Sequence, residues 1–219
     1  MSELERRDTR AEGLESVLIP HAIQERPSEE TPREAPFEDD GLRIGFLGRN
    51  IPKKGIHLIV SAIGRNPDRK WELSIAGPSG PGEYRQEIED LVQELRIEDR
   101  VTWVGFLPRR EDLLASCDVL AMPSAYEGFG MVAGEALCRG VPVIVPRLSG
   151  VAEIVSEFDA GIVMEESSVE EVEKALFTLD DARERYEDFS RNGLTAANMK
   201  LTYEAYATST AALYASLLA

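Results

Sequence analysis

Residues 123–140 read Pro-Ser-Ala-Tyr-Glu-Gly-Phe-Gly-Met-Val-Ala-Gly-Glu-Ala-Leu-Cys-Arg-Gly. Two carboxylates, Glu127 and Glu135, bracket a Gly128-Phe129-Gly130 turn and the start of an Ala-rich apolar run that predicts a helix over 130–139. Such a turn leaves backbone N–H groups unpaired where the helix dipole is positive, which suits a phosphate or an electron-rich sugar oxygen. Met131 and Glu135 are four apart and share one helical face beside that turn. A carboxylate there accepts the vicinal hydroxyls of a ribose. Taken alone, the pair reads equally well as two solvated glutamates flanking a buried helix.

Outward from this stretch, short apolar runs alternate with helical patterns. The predicted strands are Arg43–Leu47, Trp71–Ala76, Val101–Val104, Val119–Met122, Val141–Val145 and Gly161–Val163. The predicted helices are Gly55–Gly64, Glu83–Leu95, Arg110–Ser116, Gly130–Arg139, Val151–Ser156 and Val169–Leu179. That alternation predicts an α/β, Rossmann-like, doubly wound parallel sheet with both faces covered. Ligands of such sheets sit at the carboxyl ends of the strands, where the strand order reverses. Arg49, Phe106, Ser124 and Glu127 follow strand ends and are expected on that edge. Three parts are expected: a charged segment and linker over 1–41, a ligand-binding domain over 42–182, and terminal helices over 183–219. Within the first part, 1–16 predicts a short helix, Val17–Pro20 a strand or extended linker, and the Glu-, Pro- and Asp-rich 24–41 a poorly ordered connection.

A second set of residues joins the first. Leu47-Gly48-Arg49-Asn50-Ile51-Pro52-Lys53-Lys54-Gly55 follows the first predicted strand and ends where a helix begins. Arg offers a planar donor fork and Lys a compact charge, a combination suited to two phosphates; an isolated Arg and Lys at this spacing also fits a solvated basic loop. Lys53 stands beside Lys54 as a possible substitute.

Together with Gly140-Val-Pro-Val-Ile and Ser149-Gly-Val-Ala-Glu153-Ile-Val, these segments resemble, in order and spacing, the donor-binding half of family 4 retaining glycosyltransferases of the GT-B fold. One departure is Ser149-Gly150, where that family commonly has two glycines. The resemblance runs from about Val17 to the C-terminus and implies a single C-terminal GT-B domain with terminal helices, the acceptor-binding domain being absent from this chain. It implies a nucleoside-diphosphate sugar (UDP, GDP or ADP) as substrate, no cofactor and no metal. By the same resemblance, Glu127, Arg49 and Lys54 act in catalysis. Gly48, Leu107, Gly128, Phe129, Gly130, Met131, Val132 and Glu135 hold the donor, with the backbone near Leu107 on the nucleobase and Glu135 on the ribose. The last helix would pack on the missing domain; without it, the apolar stripe with Leu213, Tyr214 and Leu217 would favour self-association or a partner chain.

Composition sets the outer bounds. The 219 residues suffice for one well-buried domain and a tail, but not for two Rossmann-like domains. A net charge of −16 argues against nucleic acid or an anionic membrane as the main partner. An anionic donor must then be held by a local basic patch. The two cysteines, Cys117 and Cys138, lack metal-ligand spacing and are expected as buried thiols in a reducing compartment. No apolar run reaches the ~18–20 residues that span a bilayer, and the start is too charged for a signal peptide, so the expectation is a soluble cytoplasmic protein.

Other features carry less. Gly77-Pro-Ser-Gly-Pro-Gly82 lacks both the dinucleotide fingerprint and a Walker Lys-Ser/Thr, and reads as a strand-to-helix turn. His57 reads as a surface or half-buried helix residue, and His21 as a hinge position. Two further readings remain: a nucleotide-sugar-binding module without activity, and another GT-B enzyme such as an epimerase. A phosphorylase is disfavoured, since nothing suggests a pyridoxal lysine.

Overall fold

The structure is a computed structural model that describes residues 17–23, 32, 41–78 and 82–218. The helix expected over 1–16 and nearly all of the connection over 24–41 lie outside the described residues. Val17–Pro20 carries no strand.

Six parallel strands form one sheet: β1 (Leu42–Leu47), β2 (Trp71–Ala76), β3 (Val101–Gly105), β4 (Val119–Ala121), β5 (Val143–Pro146) and β6 (Gly161–Met164). Their order is β3-β2-β1-β4-β5-β6, so the order reverses between β1 and β4. Ile44 lies opposite Leu73 on one side and Val119 on the other, and Leu120 pairs with Val143. The helices are α1 (Ile56–Arg65), α2 (Gly82–Leu95), α3 (Glu111–Ser116), α4 (Met131–Leu137), α5 (Gly150–Phe158), α6 (Val169–Asp181), α7 (Tyr186–Lys200) and α8 (Tyr203–Leu218).

The period of two along each strand builds two cores. Leu42, Ile44 and Phe46 of β1, Val119 and Ala121 of β4, and Ile144 of β5 join the cluster under α1, α2 and α6. Leu120, Met122, Val143 and Val145 point the other way, into the cluster with Ala133, Ala136 and Leu137 of α4, Val151 and Val155 of α5, and Ala196 and Ala197 of α7. A strand buried on both sides has no polar face to show. That explains why the central strands read as continuous apolar runs.

Most predicted elements are found within one or two residues. β5 starts two residues later than expected, because Val141 N–H donates to Ala136 O at 3.0 Å and residue 142 is proline, without an N–H to give a ladder. Helix α4 stops at Leu137, where a turn takes over, rather than at Arg139. Helix α5 runs on to Phe158.

At the amino edge of the sheet, Asp118 is fully buried and takes the Arg43 backbone N–H at 2.8 Å and its guanidinium at 2.5 Å. That pairing holds the Arg43 guanidinium above its ordinary range against the opposing effect of burial. The buried Tyr186 hydroxyl donates to Asp118 O at 2.9 Å, fastening α7 to the start of β4. Cys117 and Cys138 are buried thiols that form no disulfide. Helix α8 contributes no buried residue; Tyr206, Tyr214, Leu217 and Leu218 are exposed along it.

Candidate functional site

The candidate site is the carboxyl edge of β1 and β4, where the strand order reverses. The chain leaves β1 through Gly48 and Arg49, makes a 3-10 turn at Pro52–Lys54, and enters α1 at Gly55. Gly55 has φ +76°, and a Cβ there would lie 2.2 Å from Pro123 O. Only a residue without a side chain lets this loop close onto the end of β4. Ala125 N–H donates to Lys53 O at 2.9 Å and seals the approach.

That closure delivers Lys54 to Glu127. The Lys54 ammonium and Glu127 Oε1 form an ion pair in which the two side chains are 20% and 15% exposed. Ser124 Oγ donates to the same oxygen at 3.1 Å, while Glu127 N–H is anchored on Leu148 O at 2.9 Å. Lys53 is occupied otherwise, its ammonium 3.4 Å from the centre of the Tyr126 ring. Of the two candidate lysines, the structure therefore brings Lys54 to the carboxylate. Arg49 is exposed on the same loop and has no ion-pair partner among the described residues.

The Gly128-Phe129-Gly130 turn lies over α5. Gly150 N–H donates to Gly128 O and Val151 N–H to Phe129 O, both at 2.8 Å. Gly130 caps α4 at φ +92°, with Met122 Cε and Val151 Cγ1 about 3 Å from where a Cβ would stand. The N–H groups of Phe129, Gly130, Met131 and Val132 make no hydrogen bond to another described residue. They remain as donors beside the Lys54–Glu127 pair.

Glu135 is half-buried on α4 and its Oε1 accepts from Arg110 Nη1 at 2.7 Å. Leu107 lies on the loop between β3 and α3 that carries Arg110. Each of the two glutamates thus has its own cation, Lys54 for Glu127 and Arg110 for Glu135. Sequence reasoning missed Arg110 because a basic residue after a strand end looks like any solvated loop residue. His21, read from the sequence as a hinge position, has its imidazole edge-on to Phe129 with ring centres 5.3 Å apart. Its neighbour Ile23 is buried, with its N–H on Leu201 O at 2.8 Å.

His57 is half-buried, with Nδ1 2.9 Å from the Tyr84 hydroxyl. A cavity of about 790 Å³ between α5 and β6 is lined by Glu153, Glu157, Asp159 and Glu165 against the single cation Arg147, which pairs with Glu165 at 2.7 Å, an acidic balance that disfavours a phosphate. No group of metal-ligating side chains is found among the described residues, and no described helix is long and apolar enough to cross a membrane.

Residues 27–195 match the family described as Glycosyl transferases group 1. The D-inositol 3-phosphate glycosyltransferase of Corynebacterium glutamicum is 32% identical over 164 residues, covering 72% of this chain and 39% of that enzyme. Sucrose-phosphate synthase from Thermosynechococcus elongatus matches with a TM-score of 0.80 and 27% identity, over 100% of this chain and 57% of its own. HepE of Anabaena, solved in complex with UDP, matches with a TM-score of 0.74 over 81% of this chain and 49% of its own; at 23% identity the likeness is one of fold. The chain spans well under two thirds of the length of each.

Proposed function

This chain belongs to the glycosyl transferases group 1 family, and on that premise we propose that it is the donor-binding half of a retaining, family 4 hexosyltransferase. Its fold is the Rossmann-like α/β fold of GT-B glycosyltransferases. The observation that carries the proposal is the ion pair of Lys54 with Glu127 at the switch point of the sheet, beside a row of unpartnered backbone donors.

A nucleoside-diphosphate sugar reacts by losing its diphosphate from the anomeric carbon. Negative charge grows on the β-phosphate while positive charge grows on the sugar ring. Groups already aimed at those positions stabilise the transition state more than the bound substrate. Lys54, Arg49 and the amides of Phe129 and Gly130 are assigned to the diphosphate. An ammonium has three donors, so Lys54 can keep Glu127 and still meet a phosphate oxygen. Glu127 is assigned to the donor sugar, Glu135 to the ribose, and the backbone at Leu107 to the nucleobase. Gly48, Gly128, Met131 and Val132 complete the donor wall. The leaving-group charge falls to these protein groups without a metal ion, and the acceptor attacks from the leaving-group face without a covalent enzyme intermediate.

The acceptor and the second wall of the cleft are assigned to a further domain or partner chain, with α8 and its exposed Tyr206, Tyr214 and Leu217 as the surface that docks on it. The test is a calorimetric titration of the chain with UDP-, GDP- and ADP-sugars. Saturable binding of one of them with a preference over the others supports the reading, and binding of none contradicts it.

A further inference from the structure

Arg110 lies outside both segments that build the diphosphate side of the site. It stands immediately before α3, three residues after Leu107, and reaches 25 residues along the chain to Glu135. The contact is directional: Nη1 donates to Oε1 at 2.7 Å, from a side chain 58% exposed to one only 15% exposed. A second, longer cation–carboxylate contact, Arg139 Nη2 to Glu111 Oε1 at 3.8 Å, joins the turn after α4 to the start of α3. The loop after β3 and helix α4 are therefore held together at the place where the nucleobase and ribose assignments meet.

An exposed ion pair adds little to folding stability once solvent screening and side-chain ordering are counted. It does fix a rotor. A glutamate carboxylate that must receive two vicinal hydroxyls loses conformational freedom on binding unless it is already ordered. A carboxylate oxygen has more than one acceptor position, so Oε1 can hold Arg110 and still receive a hydroxyl.

We propose that Arg110 is a positioning residue for ribose recognition: it fixes the Glu135 carboxylate in the orientation that receives the ribose hydroxyls and ties the β3–α3 loop to α4 across the nucleoside. This rests on the reading of Glu135 as the ribose-binding carboxylate. Arg110 touches no phosphate in this scheme, so its effect belongs to the nucleoside and not to the diphosphate.

The test is isothermal titration of the full chain and of its Arg110→Ala and Arg110→Lys variants with UDP, GDP and ADP, with the 2′-deoxy form of each, and with inorganic diphosphate. For the nucleotide that binds, the wild-type chain is expected to prefer the ribose form about tenfold, the worth of one hydrogen bond to a charged acceptor. Arg110→Ala is expected to bring that preference to within about twofold while leaving diphosphate affinity within about twofold, and Arg110→Lys to restore part of it. An undiminished ribose preference in Arg110→Ala overturns the proposal. So does a parallel loss of nucleotide and diphosphate binding, which would make Arg110 a general attractor of anions. A wild-type chain that binds a nucleotide without ribose preference overturns it as well. A wild-type chain that binds none of the three nucleotides overturns the functional reading, and this inference with it.

Discussion

Lys54 and Glu127, 73 residues apart in sequence, meet as an ion pair across the junction of β1 and β4. The Gly55 turn and the Ala125–Lys53 backbone hydrogen bond bring the two loops together, and Ser124 donates to the same carboxylate oxygen that Lys54 meets. In a chain of net charge −16, this junction keeps a cation where an anionic ligand can reach it.

The two glutamates should separate in function. Glu135→Gln is expected to weaken nucleoside diphosphate binding by about tenfold, through loss of a charged acceptor. Glu127→Gln is expected to affect the sugar conjugate, or turnover, much more than the free nucleotide. Titrating each variant with a nucleotide and its sugar conjugate decides the point; equal losses on both ligands for Glu127→Gln would refute the division.

The loop that delivers Lys54 depends on Gly55. Gly55→Ala is expected to lower stability by about 1–3 kcal/mol, because the new Cβ requires a left-handed backbone and presses on Pro123 O. Urea denaturation measures the loss. Nucleotide affinity of the folded variant should fall as well, since Lys54 shifts with the turn; unchanged stability would show that the loop is not locked here.

Acid should destabilise the fold partly through His57. Burial pushes this imidazole below its ordinary value of 6.5, and its neutral Nδ1 can accept from the Tyr84 hydroxyl. The unfolded chain therefore binds a proton at a higher pH than the folded one. Stability contributed by His57 is intact above about pH 6.5 and falls as the pH drops through that value toward the lower folded value. Urea midpoints at pH 5.5 and 7.5 should differ less in His57→Gln than in the wild-type chain. An identical difference in both would remove His57 as a contributor.

Glycosyl transfer to an acceptor should be slight with this chain alone. Closing a cleft between two domains excludes water and aligns the reacting atoms, effects that together reach many orders of magnitude. A donor bound on one open wall is expected to hydrolyse slowly at most. Assaying the chain with candidate donors and sugar or lipid acceptors, then again with a matching acceptor domain added, checks this. Robust transfer by the monomeric chain alone would contradict the half-enzyme reading.

The fold was legible because the central strands are short apolar runs and the longer crossover helices have an amphipathic period. The alternation leaves few topologies, and each of them puts Arg49, Ser124 and Glu127 on one edge of the sheet. What stayed hidden depends on contacts between segments far apart in sequence. Nothing local in Lys53-Lys54 says which lysine turns inward; the Tyr126 ring and the Glu127 carboxylate decide it. The Arg110–Glu135 and His21–Phe129 contacts are invisible for the same reason, since nothing near Arg110 or His21 in the chain names the distant residue it meets. Val141, apolar and β-branched, read as strand because propensity ignores the proline that follows it.

The most direct measurement is nucleoside diphosphate affinity, by calorimetry at one salt concentration, for the wild-type chain and for Lys54→Ala and Arg49→Ala. Each variant is expected to lose about 1.5–3 kcal/mol of binding free energy, the worth of one charged hydrogen bond to phosphate, while retaining the fold by circular dichroism. Unchanged affinity in both variants would contradict the assignment of this edge to a diphosphate.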